Sequence, residues 1–172
     1  AQAPQPPGEE SLAERIAAID AAVVRWRSAG DLAVARKAAE EARNLVVGPG
    51  GPFYGDGDGD GAIAGATETG LLPGRAGEPG LASGSSSACV ERDVLGGDWS
   101  DPAGRWAILE RAIADWRPAN NTFPSLPSHP QRIVGWATLT LATDSLAAAR
   151  DFGGHAQIHA NVSSRALTAC RG

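Results

Sequence analysis

Residues 11–48, SLAERIAAIDAAVVRWRSAGDLAVARKAAEEARNLVVG, decide the fold class. Ser11 followed by Glu14 is the reciprocal N-terminal signature in which hydroxyl and carboxylate each satisfy a backbone amide. Leu12, Ile16, Ile19, Val23 and Trp26 then recur at 4-3-4-3 spacing, which puts them on one face of a helix. Ser28-Ala29-Gly30 ends that helix and Asp31 caps the next. Ala35, Ala38, Ala42 and Leu45 form the inner stripe of this second helix. Arg36 with Glu40 and Lys37 with Glu41 are spaced as i,i+4 ion pairs on its outer side. Gly48-Pro49 stops it, and the tight turn at residues 28–31 folds the two helices into an antiparallel hairpin.

Helical signals return beyond residue 100. Asp101-Pro102 is an N-cap followed by proline at the first helical position. Trp106, Leu109, Ile113 and Trp116 form a 3-4-3 stripe that Pro118 ends. Asn120 to Pro130 is irregular, and His129-Pro130 opens the longest helical stretch. Its inner side is marked by Ile133, Val134, Ala137, Leu141 and Ala148, with a break expected at Gly153-Gly154 before a last helix through Ala169. No sustained period-2 pattern indicates a strand. The expected architecture is mainly α, a bundle of about four to five helices with a long Gly/Pro-rich loop insertion whose acidic run, Asp56-Gly57-Asp58-Gly59-Asp60-Gly61, makes it calcium-ordered. Residues 1–10 read as a flexible lead-in and 11–172 as a single helical domain. That domain comprises a helical hairpin over 11–47, a calcium loop and connector over 48–88, and C-terminal helices over 89–172. Gly74 to Ser87 reads as flexible connector.

The composition is that of an ordinary globular chain, with 42% hydrophobic and 20% charged residues. A net charge of −5 and the lack of a basic patch argue against a nucleic-acid partner. No apolar run approaches the ~20 residues of a transmembrane segment. The sequence contains no methionine and starts Ala1-Gln2-Ala3-Pro4, which reads as the mature end left when a signal peptide is removed. An extracytoplasmic location (periplasmic, cell surface or secreted) follows as an expectation. In that setting Cys89 and Cys170 are expected to form a disulfide, worth roughly 4–5 kcal/mol by chain entropy.

The most specific feature is Asp56-Gly57-Asp58-Gly59-Asp60-Gly61. Calcium takes six to eight oxygens at ~2.3–2.6 Å, and alternate carboxylates converge on one ion when the backbone curls tightly. Asp56, Asp58 and Asp60 stand at positions one, three and five, with Gly61 at six. Ala62 at seven offers a backbone carbonyl, and Ile63 at eight an apolar anchor to the core. Over residues 56–68 the loop resembles the EF-hand-like DxDxDG calcium loops, including those of dockerins. The resemblance implies calcium bound by Asp56, Asp58, Asp60, Ala62 and a carboxylate at position twelve. That position is Thr67, and Glu68 follows one residue later, where a bulge brings it to the ion. Eight residues of mostly Gly and Pro separate the second helix from the loop, which implies a fixed structural ion and no sensor-type switch.

His155 and His159, four apart near the start of the last helix, are spaced as a transition-metal or haem iron pair. A third ligand would come from His129 or Asp151. Trp26, Trp99, Trp106, Trp116 and Trp136 read as core or interface anchors. Asn120 and Asn161 begin glycosylation sequons. The chain has no G-x-S-x-G elbow, phosphate loop or dinucleotide fingerprint, so no catalytic residue is assigned. The leading expectation is an exported calcium-binding structural or interaction protein. It would be a subunit or accessory domain of an extracytoplasmic assembly, with a protein partner or self-assembly. The alternative is a transition-metal or haem-binding protein or metalloenzyme using His155 and His159.

Overall fold

The computed structural model describes residues 10–123 and 126–170. The lead-in before Glu10, together with Pro124 and Ser125 of the irregular crossing, lies outside the described residues. Five α-helices form the body: α1 (Leu12–Arg27), α2 (Leu32–Val47), α3 (Pro102–Asp115), α4 (His129–Ala142) and α5 (Leu146–Ala169). A π-helical turn runs over Val90–Leu95, with short 3-10 turns at Leu81–Gly84 and Pro118–Asn120. Among the described residues there is no strand.

Each helix starts where the chain offers a side-chain acceptor for its orphan amides. The Glu14 amide donates to Ser11 Oγ at 3.0 Å, and the Ser11 amide returns to Glu14 Oε2 at 3.2 Å. Asp31, Asp101, Ser128 and Ser145 cap α2, α3, α4 and α5 in the same way. The α1–α2 hairpin lies against α4 and α5, with α1 on α5 and α2 on α4, while α3 packs along α4. Trp26, Trp106 and Trp136 are all fully buried. Trp26 Nε1 donates to the Ala149 carbonyl at 2.9 Å, which ties α1 to α5.

The segment after α2 is docked over its length. The Leu71 and Leu72 amides donate at 3.2 Å to the Leu45 and Val46 carbonyls, two of the acceptors that the end of α2 leaves open. Both leucines are buried. Gly74 to Ser87, expected as flexible connector, instead carries its own turns. Leu81 and Ala82 donate to the Gly70 and Leu71 carbonyls at 2.9 and 3.0 Å, and Trp106 Nε1 donates to the Pro73 carbonyl at 2.9 Å. A disulfide joins Cys89, just before the π-helical turn, to Cys170 at the end of α5, with Cα atoms 5.7 Å apart. No described helix is long and apolar enough to cross a membrane.

Two further expectations are corrected. The break between the last two helices falls at Thr143–Ser145, and α5 runs through Gly153-Gly154. Thr143 Oγ1 accepts the Ser145 amide at 3.2 Å and Ser145 Oγ accepts the Ala148 amide at 3.1 Å, so local side-chain bonds set the boundary. Gly153 serves packing. A Cβ there would lie 2.8 Å from Arg27 Cα and 2.9 Å from Arg27 N, so its absence lets α1 and α5 approach closely. The second correction concerns the outer ion pairs of α2. Arg36 bonds the Thr143 carbonyl and Asp144, Glu41 pairs with Arg25, and Glu40 is fully buried.

The two glycines give opposite expectations. Gly153→Ala forces backbone apart and should cost about 1–2 kcal/mol after its helix-propensity gain. At Gly154 a Cβ meets nothing within 4 Å, so Gly154→Ala should stabilise by up to about 1 kcal/mol. Urea unfolding of both variants checks this; equal effects would refute the packing role of Gly153.

Candidate metal centre

The last turns of α2 are buried on nearly every side, and three of the buried residues are polar: Glu40, Arg43 and Asn44. They face the Asp/Gly loop. Glu40 Oε1 accepts the Asp58 amide at 3.0 Å and Oε2 accepts the Ala64 amide at 2.8 Å. One turn on, Asn44 exchanges two bonds with Gly55, amide to Oδ1 and Nδ2 to carbonyl, both at 3.0 Å. Its Nδ2 also donates to the Ala64 carbonyl at 2.8 Å. The loop from Gly55 to Ala64 is therefore clamped at both ends by two side chains of one helical stripe.

Inside the clamp the aspartates turn onto the loop's own amides. Asp56 accepts from Asp60 and Gly61 at 3.1 and 2.8 Å, Asp58 accepts from Asp60 at 3.1 Å, and Asp60 accepts from Ala62 at 2.9 Å. Gly59 and Gly61 take φ of 74° and 90°, a region that costs a side chain with a Cβ dearly. At Gly57 a Cβ would collide with the Arg43 guanidinium.

Oxygens of Glu40, Asp56 and Asp58 lie within 4.8 Å of one another, so this carboxylate cluster could hold a metal ion. Glu40 is buried, Asp58 half-buried and Asp56 exposed. Charge is in excess on the negative side. Hydrogen bonding from the Gly61 amide holds the Asp56 carboxyl below its ordinary range. Burial pushes the Asp58 carboxyl up against the bond from the Asp60 amide, and the hydrogen bond with Asp56 and the Glu40 and Asp60 charges add to the rise. The neighbouring cations are Arg43, whose burial lowers it to about 10 against the pull of Glu40, and Lys37, 3.9 Å from Asp60 at the surface.

Of the residues singled out in the sequence, Asp56 and Asp58 are in the cluster. Asp60 and Glu68 are outside it among the described residues. Thr67 is held elsewhere: its amide donates to Tyr54 Oη at 3.0 Å and its Oγ1 accepts from Arg15 at 2.8 Å. Glu68 beyond it lines a separate groove with Glu78. Ile63, expected to anchor the loop in the core, is 43% exposed. The loop is anchored through polar contacts to Glu40 and Asn44, which take the place of an apolar plug. Sequence reading placed Glu40 outside; the available signal was an i,i+4 pair, Glu40 and Asn44, set among Ala39, Ala42, Val46 and Val47.

The histidines divide differently from the expected pair. His159 Nδ1 lies 2.9 Å from Nδ1 of His129, at the start of α4. His155 stacks on Trp136 with ring centroids 4.3 Å apart, and its Nε2 lies 3.0 Å from Asn121 Nδ2 and 3.6 Å from Asp151. Burial above all, then His129, Arg132 and His155, lowers His159 to about 3. Burial first, then Arg132, also lowers His129, with Asp93 opposing and Arg165 adding. Compared with family models, curated proteins and solved structures, the chain matches none of them.

These shifts set a sign for acid sensitivity. An unfolded histidine takes up a proton below about pH 6.5, whereas native His159 resists protonation down to about 3. The unfolded state therefore binds more protons through that window, and stability falls as pH falls from about 6.5 towards 3. In metal-free protein, His159→Gln should flatten the fall of melting temperature between about pH 6.5 and 4. An unchanged slope would contradict the buried, neutral state of the pair.

Proposed function

We propose that this protein is an exported calcium-binding structural or interaction protein, with one calcium held by Asp56, Asp58 and Glu40. The observation that carries the reading is the convergence of a buried helix carboxylate with two loop carboxylates at alternate positions. The donors are all oxygen, which suits a hard cation, and neither nitrogen nor sulfur is present to favour zinc. A loop curled by its own amides and glycines suits calcium's irregular coordination better than the strict octahedron of magnesium. Asp60 and the Ala62 carbonyl stand on the same curl and complete the proposed set with water. Glu40 takes the role that the loop pattern gives to position twelve, arriving from α2 instead of from the loop's own end.

Export is supported by the Cys89–Cys170 disulfide, which persists in oxidising compartments. A role by association is supported by the surface around the loop. Ile63 on the loop and Val34 on α2, which lines a shallow groove with Asp58 and Asp60, are both exposed. Calcium would neutralise this rim and fix it before a partner docks, which reduces the ordering entropy lost on association. The partner is another protein or a second copy of the chain, within an extracytoplasmic assembly.

Linkage supplies the test. An ion that binds only the folded state raises the melting temperature, by about 2.7 kcal/mol of stabilisation at a hundred times its dissociation constant. Calcium should raise the melting temperature and EDTA reverse it. Asp58→Asn and Glu40→Gln should each abolish the calcium shift, whereas Glu68→Gln should leave it intact. A melting curve indifferent to calcium would end the reading. Loss of the shift in Glu68→Gln alone would restore the loop's own carboxylate in place of Glu40.

A further inference from the structure

We propose that His129 and His159 form a second metal site that takes a copper(II)-type ion through their two Nδ1 atoms. The site is built from the first turn of α4 and the middle of α5, elements that contribute nothing to the carboxylate loop. The inference is independent of the calcium reading.

Both rings are partly buried, and their Nδ1 atoms lie 2.9 Å apart, with ring centroids 5.2 Å apart and planes inclined by 35°. Without an ion, one ring donates an N–H to the lone pair of the other. Moving that proton to Nε2 of the donor ring leaves both imidazoles neutral and frees a lone pair on each Nδ1, with no net loss of a proton.

The separation then selects the ion. Imidazole nitrogen sits about 2.0–2.1 Å from a first-row divalent ion. Donors 2.9 Å apart subtend about 90° at such an ion, because half of 2.9 Å over about 2.05 Å is the sine of 45°. Right angles are the adjacent positions of the tetragonal geometry that copper(II) and nickel(II) prefer. A tetrahedral zinc would need the nitrogens about 3.3 Å apart, and so a widening of roughly 0.4 Å. Copper(II) also stands highest in intrinsic affinity for nitrogen donors. With no third His, Cys, Asp or Glu converging among the described residues, water completes the coordination.

The surroundings act in both directions. Burial disfavours the charged form of both rings. Asp93 on the π-helical turn favours a cation near His129; Arg132 on α4 and Arg165 on α5 oppose it.

Copper(II) titration of the full chain, followed by electron paramagnetic resonance, tests the proposal. One equivalent should give a tetragonal spectrum with hyperfine splitting from two imidazole nitrogens. His129→Gln and His159→Gln should each weaken copper binding about tenfold or more. His155→Gln and Asp58→Asn should change it by less than about twofold. A spectrum with oxygen donors alone or a single nitrogen would overturn the site, as would unchanged affinity in His159→Gln. Should the histidine variants fail to fold, the wild-type spectrum decides by itself.

Discussion

The carboxylate of Glu40 is fully buried, and both of its oxygens are met by amides of a loop more than fifteen residues away in the chain. A buried carboxylate without partners is costly by several kcal/mol, so the loop and the helix are bound to each other by that charge. Much of the loop's composition follows. Arg43, one turn from Glu40, occupies the space that a side chain at position 57 would need, so residue 57 is glycine. The left-handed backbone that carries the chain past Asp58 and Asp60 makes 59 and 61 glycine as well. Gly-Asp alternation here is a response to one helix face as much as to any ion.

The same logic of side chains meeting backbone recurs through the molecule. Arg15 of α1 donates to the Leu45 and Thr69 carbonyls and to Thr67 Oγ1, so it closes the end of α2 and the end of the loop together. Trp106 reaches the Pro73 carbonyl, and Ser128 Oγ donates to the Val94 carbonyl at 2.7 Å. These contacts let a long stretch with few helical residues sit on the bundle without strands. Its carbonyls and amides are answered by side chains projecting from the helices. The disulfide adds a covalent fastening where that stretch meets the end of α5.

The helices were legible because their signals are local. Caps at Ser11, Asp31 and Asp101 and the 3-4 spacing of Ile16, Ile19, Val23 and Trp26 involve residues within about three turns of one another. The disulfide was legible because two cysteines in one chain leave a single pairing within it. The misreadings share a different cause. Glu40 looks like a solvent-facing i,i+4 partner of Arg36 until the loop is laid over it. Gly153 looks like a helix breaker until α1 is laid against it. His159 was set first with its helical neighbour His155, and its ring contact is with His129, thirty positions earlier, which the sequence offered as a third ligand. In each case the deciding contact joins distant segments, and propensity and periodicity carry no information about it. Asp56 and Asp58 were found because the loop's curl is local; their third neighbour was missed because it is not.

The way the loop is held bears on what a bound cation would do. In a loop that depends on its ion for shape, the ion contributes to folding directly, and binding and ordering are one event. Here Glu40, Asn44 and Tyr54 already satisfy main-chain groups at Gly55, Asp58, Ala64 and Thr67, and Arg15 holds the Thr67 hydroxyl. A cation entering this frame meets carboxylates already positioned, so little ordering entropy opposes it. Its chief contribution is to offset the burial, and then the neighbouring Glu40 and Asp60 charges, that raise Asp58. That is the energetic profile of a stiffening ion. A switch requires a second arrangement of the loop with different affinity for the ion, and leaving the present one would strand the buried charge of Glu40. The proposed calcium therefore tightens a surface that the helices have already shaped, which favours a constant docking face over a signal.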